Sequence, residues 1–190
     1  MPRGFSLFVD WNREPRSPRT RVKPFLGCSR AYVDVITRCG TIERADADVE
    51  RHINLRMTRQ TALSRDTDPL RLWTVVNEAV LRRVVGSAPL MRDQLIHLAE
   101  MAKHPKITVQ VLPYSHGAHP GMAAGPFQIL GFPWSADPGI AYVEHRAGAL
   151  YLESAHEVDA HNVAFEHLVG LALSPDASIT MVRDLAEEYA

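Results

Sequence analysis

Two stretches decide the fold: Leu70-Arg-Leu-Trp-Thr-Val-Val-Asn-Glu-Ala-Val-Leu-Arg-Arg83 and Ile107-Thr-Val-Gln-Val-Leu-Pro-Tyr-Ser-His-Gly-Ala-His-Pro-Gly121. Each begins as a short apolar, β-branched run and ends in a polar segment rich in Glu, Arg or His. Such runs read as strands covered on both faces, at residues 70–76 and 107–112. Between them Ser87 reads as an N-cap and Pro89 as a first-turn residue, opening a helix that runs to Lys103. Its apolar stripe is Met91, Leu95, Leu98 and Met101 or Ala102, and His104-Pro105 ends it. Strand, helix, strand with ionisable groups at the strand ends is where α/β sheets tend to keep their sites.

Working outward, residues 127–131, 140–144 and 149–153 read as three further strands. Upstream, residues 29–38 fit a short helix. Residues 46–63 fit a stronger one, with Val49, Ile53, Met57, Gln60 and Leu63 in one helical line. Downstream, a long helix is expected over residues 157–173, followed by a short one capped by Ser174-Pro175. The expected fold class is α/β or α+β: a mixed central sheet of about five strands covered by helices, with an N-terminal helical segment. Residues 1–24 read as a basic, Pro-rich leader, with Phe5, Leu7, Phe8 and Trp11 as anchors onto a single domain over residues 25–190.

Composition narrows the function classes. The 190 residues are 46% hydrophobic and 23% charged, as in a globular protein. A net charge of −1 gives no general electrostatic grip on nucleic acid. Arg3, Arg13, Arg16, Arg19, Arg21, Lys23 and Arg30 against Asp10 and Glu14 make the N-terminal arm locally basic. Such an arm suits solvent or a phosphate contact. Two cysteines, Cys28 and Cys39, cannot make a disulfide scaffold and lack redox or zinc spacing. No apolar run has the length of a membrane span or a secretion signal, so a cytoplasmic protein is expected.

Nine histidines raise the question of a metal. Only the Glu157/His161 pair and the His116/His119 loop have useful local spacing, and neither supplies the three or four ligands zinc needs, so no metal is expected. Glu144 leaves a strand beside His145 and Arg146, and Glu78 leaves another four residues before Arg82. Each suits general acid–base work if partly buried, but a structural ion pair is the favoured reading of each. The loop from His116 to Gly125 has three glycines, which allow close ligand approach or a lid movement. Tyr114 and Phe127 flank strands, and Trp134 in a Pro-bounded loop could stack on a flat ligand. The expected ligand contacts are therefore Arg82, Tyr114, His116, Phe127 and Trp134. Glycine-rich nucleotide loops and a nucleophile elbow are absent, so no cofactor is expected.

A set of short motifs then carries a resemblance. They are Arg56-x-x-Arg59-Gln60, Asn77-Glu78-Ala79-Val80-Leu81-Arg82, Gly86, Met91, Gln94-Leu95, Val109-Gln110-Val111-Leu112-Pro113 and Gly117-x-His119-Pro120-Gly121. Gly125-Pro126-Phe127, Val143-Glu144, Tyr151-Leu152-Glu153 and Ala172-Leu173-Ser174 continue them. In order and spacing the chain resembles DUF5753, the effector domain of actinobacterial XRE-type, antitoxin-like regulators. Members usually begin with a helix-turn-helix of some sixty residues, which these 190 residues do not include. Their Pro-Gly-Leu-Leu-Gln-Thr-like turn reads here Lys23-Pro24-Phe25-Leu26-Gly27-Cys28-Ser29. The resemblance implies binding of a small molecule or of a small companion protein, without inherited DNA recognition. It leaves two classes open. One is a regulator-like binding domain. The other is a cofactor-independent enzyme of specialised metabolism, a cyclase or condensing enzyme, with Glu78, Glu144 and His119 or His145 as acid–base groups. The expected partners are a ligand or substrate, a companion protein, or a second copy of the chain.

Overall fold

A computed structural model describes residues 5–10, 27–40, 45–64, 71–131, 138–145 and 148–190. In chain order the elements are β1 (Phe5–Asp10), α1 (Arg30–Gly40), α2 (Asp46–Gln60), β2 (Arg71–Asn77), α3 (Glu78–Arg82), α4 (Ala88–Met101) and β3 (Ile107–Leu112). They continue with α5 (Gly121–Ala124), β4 (Phe127–Gly131), β5 (Ile140–His145), β6 (Gly148–Leu152), α6 (Ala155–Leu171) and α7 (Pro175–Glu188). The strands form one mixed sheet in the order β3-β2-β1-β4-β5-β6. The parallel pair β2–β3 and the antiparallel set β4–β5–β6 are joined through β1, which runs antiparallel to β2 and parallel to β4.

Alternation along the strands sends side chains to two helical layers. Leu72, Val76, Val109, Val111, Leu130 and Ile140 pack with Leu95 and Leu98 of α4 and with Val182 and Leu185 of α7. Val75, Leu112, Phe127 and Ile129 pack on the opposite face with Val158, Phe165 and Leu168 of α6. Both faces are thus covered, which explains the unbroken apolar runs. A third cluster joins Tyr32 and Val33 of α1, Val49 and Ile53 of α2, and Met91 of α4.

The helix starts follow from their caps. Ser87 accepts from the Leu90 N–H, Ser154 from the Glu157 N–H and Ser174 from the Ala177 N–H. The Ser154 hydroxyl also donates to the Glu157 carboxylate at 2.5 Å, and α6 starts two residues before the sequence-based estimate. The C-terminal helix is longer than expected, at 14 residues. The junction before it and its first turn also meet one edge of the sheet: Leu173 N–H donates to Val111 O, and Val111 N–H donates to Ser178 Oγ, both at 2.9 Å.

The main departure from expectation is β1. Phe5–Asp10, read from sequence as part of a leader, is a sixth strand between β2 and β4. Its residues Phe-Ser-Leu-Phe-Val-Asp are apolar enough for a strand, but the run is short and adjoins a stretch of arginines and prolines. Gly139, beside β5, has φ +87°, and a Cβ there would lie 2.6 Å from Leu130 O. Only glycine fits so close to the neighbouring strand.

Candidate functional site

Register places several sequence candidates at one end of the sheet. Asn77 pairs with Leu112 at the ends of β2 and β3, Phe5 opposes Val76, and Phe127 opposes Val143, one residue before Glu144. Glu78 and Glu144 therefore share an end of the sheet but not a cluster. Their strands stand three spacings apart, about 14 Å at the usual interstrand distance.

Asn77 caps α3, its Oδ1 accepting from the Ala79 N–H at 2.9 Å. Glu78 follows and is 6% exposed. Both of its oxygens are engaged: Oε1 accepts from Arg82 Nε at 2.6 Å and Oε2 from the Tyr114 backbone N–H at 2.8 Å. The hydrogen bond to Glu78 raises the Arg82 pKa above its ordinary value. Arg82 in turn donates to Glu188 at 3.2 Å, and the Tyr189 hydroxyl donates to Arg82 O at 2.9 Å. Glu78 is thus the centre of a brace joining α3, the turn after β3 and the end of α7.

The adjoining loop holds the histidines. His119 Nε2 lies 3.4 Å from Asn77 Nδ2. An amide nitrogen only donates, so this geometry puts the imidazole proton on Nδ1. Nδ1 is buried and meets no partner among the described residues. A Cβ on Gly121 would stand 3.1 Å from it, so the glycine makes room for the ring. His116 is exposed, and Tyr114 is 58% exposed with its backbone tied to Glu78. Among the expected ligand contacts, Phe127 is corrected to a core residue: it is 1% exposed, edge-on to His161 of α6 at 5.1 Å. Trp134 lies outside the described residues, and His145 is placed by its backbone as the last residue of β5.

Glu144 is half-buried on the sheet face opposite α6, as its alternation with Val143 requires. Burial lowers the Arg56 pKa, and the negative charge of Glu144 offsets part of that. Arg56 also donates to Thr37 Oγ1 at 2.6 Å. Among the described residues no group of three or more His, Cys, Asp or Glu could hold a metal ion.

The feature that sequence reasoning missed is a cavity of about 50 Å³ between the β2–β3 face and α1, α3 and α4. Thr74, Val76, Val109, Leu81, Met91 and Leu95 are among its walls, with Cys28 and Tyr32 on the α1 side. Two glutamines build that side. Gln94 accepts from the Ser29 N–H at 2.7 Å and donates to Gly27 O at 2.8 Å. Gln60 donates to Cys28 O at 2.7 Å. The segment entering α1 is thereby pinned from α4 and α2. A glutamine inside each apolar stripe was the signal available in the sequence.

Burial pushes the Cys28 thiol up to about 12, and it raises the Tyr32 phenol too. The cavity wall thus presents neutral groups at physiological pH. Cys39, by contrast, is exposed. An aromatic disulfide reagent at pH 8 is expected to titrate Cys39 in the native protein and Cys28 only after denaturation. Two equally fast thiols in the native state would contradict the buried position of Cys28.

No helix among the described residues is long and apolar enough to cross a membrane. No curated protein and no solved structure matches the chain. The family model of the domain of unknown function DUF5753 matches residues 21–184, which include α1, both glutamine clamps and every strand after β1. The chain belongs to the DUF5753 family.

Proposed function

We propose that this chain is a small-molecule-binding effector domain that holds the apolar end of its ligand in the cavity beneath β2 and β3. The observation that carries this reading is the cavity itself: about 50 Å³ of space against mainly aliphatic walls. A void of that size costs about 1 kcal/mol at ~24 cal/mol per Å³. Filling it with an alkyl or small-ring group recovers that cost. The space does not hold a whole metabolite, so the rest of the ligand lies outside it. With Cys28 protonated and Gln94 engaged on both sides of its amide, the walls favour an uncharged group.

Acid–base chemistry at the rim has less support, because both oxygens of Glu78 are committed within the protein. Glu78, Arg82 and Tyr114 serve in this reading as the brace that holds the cavity's α3 wall. A regulatory output, through a companion protein of the kind the family resemblance suggests, fits a domain that binds without turnover.

The test is thermal unfolding with benzene, cyclohexane and n-hexanol as probes and glycerol as a control. The apolar probes are expected to raise the midpoint and glycerol to leave it at the value for a non-specific osmolyte. Val109→Leu, which adds a methylene at the wall, is expected to stabilise the free protein by about 0.5–2 kcal/mol and to remove the probe response. If no apolar probe shifts the midpoint and Val109→Leu destabilises the fold as an overpacked core would, the cavity is not a binding site.

A further inference from the structure

The two edges of the sheet are finished differently. At the β3 edge, Leu173 and Ser178 occupy Val111 O and N–H near the end of the strand, and α7 packs along it, so this edge is obstructed for pairing. At the β6 edge, among the described residues, no hydrogen bond reaches the outer side of Gly148–Leu152. Isolated edges of monomeric proteins are usually guarded by a lysine, a proline, a bulge or a covering segment. Gly148-Ala149-Leu150-Tyr151-Leu152 has no charge and no proline, and it pairs with β5 in unbroken register. Leu150 is 52% and Tyr151 37% exposed.

We propose that β6 is the self-association edge of this protein. Two copies pair β6 to β6, antiparallel, about a two-fold axis through Leu150, which joins two six-stranded sheets into one. Three observations favour a second copy over a foreign strand. A strand that pairs with itself must avoid like charges, and this one has none. Centred on Leu150, the register sets small against large in both halves: Ala149 opposes the partner's Tyr151, and Gly148 opposes the partner's Leu152. Finally, the obstructed β3 edge prevents head-to-tail growth from β6 onto β3, so association stops at a closed, isologous dimer. The ligand reading above is independent of this one.

The test is the mass of the full chain by light scattering and sedimentation across a concentration series. Wild type is expected to be dimeric at the upper concentrations. Leu150→Lys is expected to be monomeric throughout, with an unchanged far-UV spectrum and the unfolding midpoint of the wild type diluted to its monomer, since the side chain is already exposed in the single chain. In a Cys39→Ala background, Leu150→Cys is expected to oxidise to a disulfide-linked dimer, because residues facing across a two-fold antiparallel pair lie within disulfide reach. Glu166→Cys, exposed on α6, serves as the control and is expected not to cross-link. A wild-type chain that stays monomeric across the series overturns the proposal. So does a dimer that survives Leu150→Lys and gives no cross-link at Leu150, which would put the interface elsewhere.

Discussion

Phe127→Ala is expected to destabilise the fold by about 3–5 kcal/mol, measured by chemical denaturation. The ring is 1% exposed and lies among Val75, Leu112, Ile129, Val158 and Leu168, between the sheet and α6. Truncation removes the transfer energy of an aromatic side chain and leaves a cavity that sheet and helix, both held by backbone hydrogen bonds, cannot close. The edge-on contact with His161 is lost as well. His161 is itself fixed by a 2.7 Å contact between its Nδ1 and Glu157 O, so it cannot follow the retreating side chain freely. Phe127→Leu keeps most of the volume and is expected to cost roughly 1–1.5 kcal/mol. A ligand-contact phenylalanine would behave otherwise: its alanine variant would leave stability within about 0.5 kcal/mol and reduce ligand response alone. An unchanged denaturation midpoint for Phe127→Ala would return this residue to the binding surface.

The sequence reading of Phe127 failed for an instructive reason. Alternation identifies that a strand has two faces, but not which layer covers each one. A residue at a strand end beside a glycine loop can be rim or core, and the difference lies in α6, thirty residues away. Where burial is two-sided the pattern is unambiguous, so residues 107–112 and 127–131 are strands at the limits read from sequence. β1 was hidden because six apolar-leaning residues adjoin a run of arginines and prolines whose composition dominates a local reading. The cavity was not legible at all: its walls are ordinary helical and strand stripes, and the space arises from how far apart the layers stand. The family motifs were legible, but their role was not. Gln60, Gln94, Asn77 and Ser174, quoted as marks of resemblance, prove to be clamps and caps on backbone groups. Those roles belong to the framework of the fold, and they argue against reading each polar residue of the motifs as a site residue.

Glu78 is the sharpest case, and Glu78→Ala is expected to cost about 2–3 kcal/mol. The substitution takes away the acceptor for the Tyr114 N–H and for Arg82 Nε together. The guanidinium side chain is 40% exposed and can rehydrate, which keeps the loss below that of a fully buried pair. Glu78→Gln retains one good acceptor and is expected to cost roughly half as much. Arg82→Ala leaves the carboxylate buried with the Tyr114 N–H as its remaining partner among the described residues, and it also frees Glu188. The double variant Glu78→Ala/Arg82→Ala should therefore be less destabilised than the sum of the two, by about 1–2 kcal/mol of coupling. Denaturation curves for the four proteins measure this directly. The same variants separate bracing from catalysis. As a brace, Glu78→Gln keeps the response to the apolar probes, at a lower midpoint, because the cavity wall is weakened but not recharged. If the cycle shows no coupling and Glu78→Gln leaves stability untouched, the carboxylate is not holding the fold. A buried acid that contributes nothing to stability would then be the strongest reason to assign it a chemical role.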